Sequence, residues 1–329
     1  MEQKKLISDL NARIFQRSYL LHGEERYLIM HYARAIEDAV SKETENFKDL
    51  FDGLVPAHDI IMAAETLPFF SGYRLVYVRD SRLFATGRKE DSEKMADYLP
   101  KIPNDTIMVF VESEVDRRSK LYKQITKTGC VIDCQPPTPQ TLISWVTRLA
   151  KEKEKILPSS ASQHFIRTVG TSMATLSQEM YKLISYCGER TDITTTDIDA
   201  ICTPTLESRI FELIKAMCNK RIEEALARYR DMLVLKESPI MILTMIIRQF
   251  RILLLTKCAK EKGMTIMQTA KEFNLRDFIV HEALVQGQLF TIEELINALK
   301  YCQDVDKNSK TSVVSPELGV EMLIIKYGC

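Results

Sequence analysis

Between Gln135 and Pro139 the chain runs Gln-Pro-Pro-Thr-Pro, three prolines in four residues, and the hydrophobic pattern differs on its two sides. Each proline fixes φ and removes a backbone donor, so neither a sheet nor a helix continues through the run and the chain stays extended. Before it, residues 18–135 alternate short apolar runs with helical patterns, as a sheet covered by helices does. After it, no stretch reads as a strand.

The first half resolves into elements. Ser18 to His22 reads as a strand, Glu24 to Val40 as a helix, Phe47 to Phe51 as a strand, Pro56 to Thr66 as a helix and Leu75 to Val78 as a strand. A charged segment, Arg88 to Leu99, is followed by the β-rich Thr106 to Val111, a helix through Arg117 to Lys127, and Cys130 to Asp133. The unbroken apolar run Ile107 to Val111 fits a strand buried on both faces, which is the habit of parallel sheets.

Beyond the prolines, Thr138 to Glu154, Ser159 to Val169, Thr171 to Cys187 and Thr194 to Cys202 read as short helices, with Thr or Ser at N-caps and Gly170 and Gly188 as stops. Thr203-Pro-Thr205 marks a second boundary. Past it, Leu206 to Cys218, Arg221 to Leu235, Ser238 to Lys262, Thr265 to Phe273, Leu275 to Gln288, Ile292 to Asp306 and Ser315 to Lys326 carry helical periodicity. Ser238-Pro239 supplies a cap followed by proline at the first helical position, and Ile240 to Ile247 behind it suits a central buried helix. The length of 329 residues accommodates two or three cores. The reading is an α/β domain over residues 1–139, a small all-α domain over 140–205 and a larger helical bundle over 206–329.

Charge bears on function. Basic minus acidic residues are 20 minus 22, 7 minus 7 and 18 minus 16 in the three segments, so none carries the clustered positive field of an autonomous nucleic-acid binder. The N-terminus, MEQKKLISDLNARIFQRSY, has no long apolar core before a small-residue cleavage site, and the longest apolar run, Ile240 to Ile247, is cut by Arg248 and Arg251. A cytoplasmic protein is expected. Eight dispersed cysteines with no C-x-x-C pair argue against a disulfide framework or zinc site, and Cys130 and Cys134 read as structural residues around a buried strand.

An α/β domain followed by a helical one is the layout of many nucleotide-driven machines, so a phosphate loop is the first thing to test. Leu20-Leu-His-Gly-Glu-Glu-Arg-Tyr27 stands in the right place, where a strand gives way to a helix. A P-loop, however, requires glycines for backbone approach to phosphate, a lysine to neutralise it and Ser or Thr for Mg²⁺. Gly23 is followed by two acids, and none of the eleven glycines precedes a lysine. Glu112 and Glu114 fall where such an ATPase places acids for Mg²⁺ and water, yet with no phosphate to serve they read as solvated acids at a strand end. Asp197 and Asp199 read as complements to a helix N-terminus rather than as metal ligands. His22, His31, His58, His164 and His281 form no H-x₃-H spacing and no nucleophile pattern.

What remains is Phe69-Phe70, two rings at a helix-to-strand junction where polar residues are the rule. They either fold back into the core or are displayed as anchors for a partner's pocket.

The set Tyr19-Leu-Leu-His-Gly-Glu-Glu25, Leu67-Pro-Phe-Phe-Ser-Gly-Tyr-Arg-Leu-Val76, Met108-Val-Phe-Val-Glu112, Arg118-Ser-Lys-Leu-Tyr122 and Glu179-Met-Tyr-Lys-Leu183, followed by a helical bundle, resembles the delta subunit of bacterial DNA polymerase III along essentially the whole chain. The resemblance implies an AAA+-like fold with a degenerate P-loop-type parallel sheet, a helical lid and a collar that assembles with other clamp-loader subunits, including the ATPase subunits and delta-prime. It implies no catalysis and no cofactor in this chain, ATP being bound by the partner subunits, and a place at the replisome of the bacterial cytoplasm. It also implies that a hydrophobic pair at a helix end inserts into a pocket of the ring-shaped sliding clamp and helps to open one of its interfaces. The matching positions are Phe69 and Phe70, with Leu67 and Pro68 shaping the helix exit; the family commonly has leucine first, so Phe69 departs from its pattern. Some members touch the end of primed DNA with a collar aromatic, for which Phe278 is the match, its other reading being a core residue between collar helices.

Three functions can then be told apart: a non-catalytic clamp-loader subunit, an NTPase with a non-standard phosphate site around Gly23 and Glu112, and an autonomous DNA-binding protein. Clamp binding that depends on Phe69 and Phe70 would mark the first, nucleotide turnover the second, and tight DNA binding by the isolated chain at physiological salt the third.

Overall fold

The computed structural model describes residues 2–41, 48–66, 72–275 and 277–328, and divides the chain into two compact units, Met1–Pro137 and Thr138–Cys329. The division falls inside the proline run.

In the first unit, β1 (Ser18–His22), β2 (Lys48–Asp52), β3 (Arg74–Arg79), β4 (Thr106–Glu112) and β5 (Cys130–Asp133) form one sheet, ordered β2-β3-β4-β1-β5, with every pair parallel. The α/β expectation is met by this parallel sheet with helices on both faces. Successive side chains of a strand leave opposite faces, and the two faces have separate cores. Leu20, Val76, Val78, Met108 and Phe110 pack under α3 (Ala57–Glu65), α4 (Lys89–Tyr98) and α5 (Lys120–Thr128). Tyr19, Leu21, Leu75, Tyr77, Ile107 and Val109 pack on the other face, under α1 (Glu2–Asn11) and α2 (Arg26–Ser41). Both β1 and β4 are buried along their whole length, which is why their middles, Tyr19 to Leu21 and Ile107 to Val111, are apolar without a break.

Two of these helices exceed the sequence reading. The N-terminal Glu2–Asn11 is helical because Leu6 and Leu10, one turn apart, bury one side of an otherwise polar segment. The charged Arg88 to Leu99 contains α4, whose Met95, Ala96 and Tyr98 are buried while its charges face water.

The second unit is helical: α6 (Pro139–Lys151), α7 (Ser159–Val169), α8 (Met173–Cys187), α9 (Thr195–Ile201), α10 (Leu206–Cys218), α11 (Ile222–Val234), α12 (Pro239–Glu261), α13 (Ile266–Glu272), α14 (Asp277–Gln286), α15 (Ile292–Lys310) and α16 (Pro316–Tyr327). A lone parallel bridge, Ile156 to Asp192, is its only β pairing among the described residues. Hydroxyls of Thr138, Ser172, Thr194, Thr205, Thr265, Thr291 and Ser315 accept backbone amides at helix starts. Ser238 departs from the expected cap: Pro239 stands at the first helical position, but the serine hydroxyl takes no amide. By length and composition α12 could cross a membrane, yet its Ile242, Ile246, Phe250 and Leu253 lie in the core built with α10, α15 and α16.

Candidate functional site

Leu67, Pro68, Phe69 and Phe70 lie outside the described residues; the structure describes the two stems from which they depart. On the first stem, α3 buries Ile60 and Ala64 and exposes Met62. The last carbonyls of a helix lack helical partners, and here they are taken up locally. Thr66 gives its amide to the Ala63 carbonyl and its hydroxyl to that of Met62, at 2.9 Å for the latter, and its own backbone is extended, so the helix stops there. The Ala64 carbonyl accepts the Thr106 hydroxyl at 3.0 Å. Tyr98, buried near the end of α4, has its phenol pushed up by burial and then by the nearby Glu65 carboxylate.

On the second stem, Gly72 sits at φ 144°, a backbone conformation that favours glycine. Tyr73 meets Phe15 edge to face at 5.2 Å between ring centroids. Arg74 donates its amide to the Asp105 carbonyl at 2.7 Å and pairs with Asp49 on β2 at 2.6 Å.

The second place singled out in the sequence is the crevice at the carboxyl ends of the strands, where α/β sheets hold ligands. A cavity of about 550 Å³ opens there, between the Gly23 turn after β1 and Glu112 at the end of β4. Its lining carries Glu24, Asp52, Asp80 and Glu112 against Arg26 and Arg79, and Arg79 is paired with Asp52 at 2.6 Å. The balance is acidic, with no lysine among the described residues of the lining. Backbone donors of the turn are also engaged: the Glu25 amide bonds the Cys134 carbonyl at 2.9 Å and the Tyr27 amide bonds the Glu25 carboxylate at 3.1 Å. Gly23 is required by this packing, since at φ 132° a Cβ would lie 2.3 Å from the Cys134 oxygen.

Glu112 corrects the sequence reading. It is no solvated acid: it is 1% exposed, and accepts the Ser81 amide at 3.1 Å, the Arg82 amide at 3.0 Å and the Ser81 hydroxyl. Burial pushes its carboxyl up to about 7, against the downward pull of those hydrogen bonds. Asp80 and Arg82, which flank Ser81, both have positive φ, so the carboxyl holds a turn that the backbone alone disfavours. Glu114 is exposed, as expected.

Asp197 does complement a helix start. It forms a capping box with Thr194 at the N-terminus of α9, and the Arg190 guanidinium, 2.8 Å away, holds its carboxyl well below the usual range. Asp199 instead pairs with His164 at 2.6 Å. Among the described residues no three His, Cys, Asp or Glu side chains are placed to hold a metal. Cys134 is buried with its thiol pushed up to about 12, and Cys130, half-buried on β5, to about 11, by burial in each case. Phe278 lies on α14, and its side chain is outside the described residues.

Sequence reasoning missed Thr106 and Glu112 as residues that shape loops. A polar residue at either end of an otherwise apolar strand is the signal that could have found them.

Two family profiles match the chain: "DNA polymerase III, delta subunit" over residues 19–135, and "DNA polymerase III delta subunit, C-terminal domain" over residues 207–327. The DNA polymerase III subunit delta of Bacillus subtilis (strain 168) is 30% identical over 319 residues, covering 94% of this chain and 92% of that protein. A probable DNA polymerase III subunit delta of Aquifex aeolicus (strain VF5) is 20% identical over 305 residues, covering 90% and 86%. The solved structure of the Bacillus subtilis DNA clamp loader delta protein superposes with a TM-score of 0.69 at 27% identity, over 99% of each chain.

Proposed function

The chain belongs to the family of DNA polymerase III delta subunits, and from that premise we propose that it binds the sliding clamp through Leu67, Pro68, Phe69 and Phe70 and helps to open it for loading on primed DNA. The observation that carries the proposal is the family match along nearly the whole chain, with the 19–135 profile spanning the phenylalanine pair. The described stems agree with such a role, because α3 ends with its polar side exposed at Glu65 and Thr66 rather than turning into the core.

The same reading makes the chain a subunit without ATPase activity. An acidic crevice repels a nucleotide's phosphates, and amides engaged with Cys134 and Glu25 are not free to cradle them. ATP is then bound by partner subunits, which with delta-prime assemble on the helices of residues 206–329, in the bacterial cytoplasm at the replisome. Phe278 is carried over as the DNA-end contact within that assembly.

Replacing Phe69 and Phe70 together with alanine, in a chain whose melting temperature is unchanged, tests the proposal against the purified sliding clamp. Each buried ring contributes roughly 1.5–3 kcal/mol, so affinity should fall at least about 100-fold for the pair. Unchanged affinity would overturn it.

A further inference from the structure

The two stems of the 67–71 segment are fastened to two adjacent residues, one to each. Thr106, 2% exposed at the start of β4, donates its hydroxyl to the Ala64 carbonyl in the last turn of α3. Its neighbour Asp105 accepts the Arg74 amide with its own carbonyl as the chain enters β3. Arg74 and Thr106 are also register partners in the β3–β4 pairing, next to the strands buried on both faces. The start of β4 is therefore a platform that fixes where the segment leaves and where it returns.

The geometry points to Thr106 as a positioning residue for clamp binding, one that acts through the segment without touching the clamp; the inference rests on the reading of Leu67 to Phe70 as the clamp-binding element. A loop held at both stems loses less conformational freedom when it docks, and that saving appears directly in the affinity. Of the terminal carbonyls of α3, those of Met62 and Ala63 are taken by Thr66, within the stem itself, whereas that of Ala64 is taken from another element. The Thr106 hydroxyl is thus a side-chain tie between the helix exit and the sheet, and a side chain can be exchanged without altering the strand.

Thr106→Val keeps the shape and the β-branched fit to a strand but removes the donor; Thr106→Ser keeps the donor. Both are made in the full chain, beside the double alanine variant of Phe69 and Phe70, and titrated against the purified cognate sliding clamp and, separately, against the sister clamp-loader subunits. Thr106→Val is expected to bind the clamp about three- to ten-fold more weakly, the range that one hydrogen bond sets, and to bind the sister subunits unchanged. Thr106→Ser should stay within about two-fold of the parent chain on the same scale. Full clamp affinity in Thr106→Val, equal weakness in Thr106→Ser, or an equal loss of sister-subunit binding would each overturn the inference. If the double alanine variant loses clamp binding while Thr106→Val keeps it, the positioning role falls and the clamp-binding reading stands. If the double alanine variant itself keeps full affinity, that reading falls and this inference with it.

Discussion

Glu112, the last residue of β4, accepts hydrogen bonds from both the backbone amide and the side-chain hydroxyl of Ser81, thirty-one positions earlier. The Ser81 carbonyl in turn accepts from the Arg88 guanidinium, at 2.7 Å, and Arg88 donates as well to the Val55 carbonyl and to Asp91. One buried carboxyl thus anchors the turn after β3 and, through Arg88, the start of α4. Asp80 of that turn and Glu112 both line the crevice at the carboxyl ends of the strands.

This carboxyl makes stability depend on pH with a definite sign. Its folded value, about 7, lies above its ordinary 4.5, so the folded chain holds more protons than the unfolded one between those limits. The contribution is fully present below 4.5 and is lost as pH rises through about 7, a span worth about 3 kcal/mol. Glu112→Gln mimics the protonated acid. The melting temperature of Glu112→Gln minus that of the parent chain is expected to be higher at pH 8.5 than at pH 5 by at least about 2 °C. A difference independent of pH would show that the carboxyl does not titrate as its burial requires. His22, 4% exposed and with its imidazole pushed down by burial, works in the opposite sense, its contribution being lost as pH falls; the paired comparison cancels it.

How much of this was legible depended on how local the cause was. The run Ile107 to Val111 announced a strand covered on both faces because its burial is written in consecutive residues. Helix starts were legible at Thr138, Thr194 and Thr205 for the same reason, the cap and its amide being three residues apart. Glu112 misled because its burial comes from the Ser81 turn folding over it, and Thr106 was passed over because its partner Ala64 is forty-two positions away. The helix at Glu2–Asn11 was not foreseen, since only Leu6 and Leu10 among its ten residues are buried. The Phe69-Phe70 pair stood out by its chemistry against a junction that is normally polar, without help from any contact.

The two rings of that pair should not contribute equally. On the proposed clamp-binding reading, Phe69 stands where the family commonly has leucine, so an aliphatic side chain is expected to serve at that position. Phe69→Leu is therefore expected to keep clamp affinity within about three-fold, since volume-similar apolar exchanges are mild. Phe70→Ala is expected to weaken it by about 10-fold or more, through loss of one buried ring. Surface plasmon resonance on immobilised clamp would decide; a larger loss for Phe69→Leu than for Phe70→Ala would reverse the ranking.

The crevice gives a prediction about nucleotide that needs no turnover assay. A ligand that binds only the folded chain raises its stability by about 2.7 kcal/mol at a concentration 100 times its dissociation constant. With Glu24, Asp80 and Glu112 facing the cavity and the Glu25 and Tyr27 amides of the turn engaged, millimolar ATP with Mg²⁺ should leave the melting temperature of the isolated chain within about 1 °C of its value without nucleotide. A rise of several degrees, removed by Gly23 or Glu112 substitutions, would place a nucleotide in the crevice and revive the NTPase reading.

In the second unit, Gly319 offers a sign that helix propensity alone gets wrong. It lies within α16, where replacing glycine by alanine ordinarily stabilises by about 1 kcal/mol. Here a Cβ would lie 2.5 Å from the Cγ1 of Val305 on α15, a side chain only 6% exposed, so α15 and α16 would be forced apart or Val305 off its rotamer. Overpacking of that kind costs about 1–3 kcal/mol and outweighs the propensity gain. Gly319→Ala is expected to lower the melting temperature, and Val305→Ala to lower it as well by removing buried methyl groups. Combined, the two should be less destabilising than their sum, because the alanine methyl enters the space that valine vacates. Thermal melts of the parent chain, both single variants and the pair close the cycle; strict additivity would mean that the α15–α16 contact at Gly319 does not limit the packing.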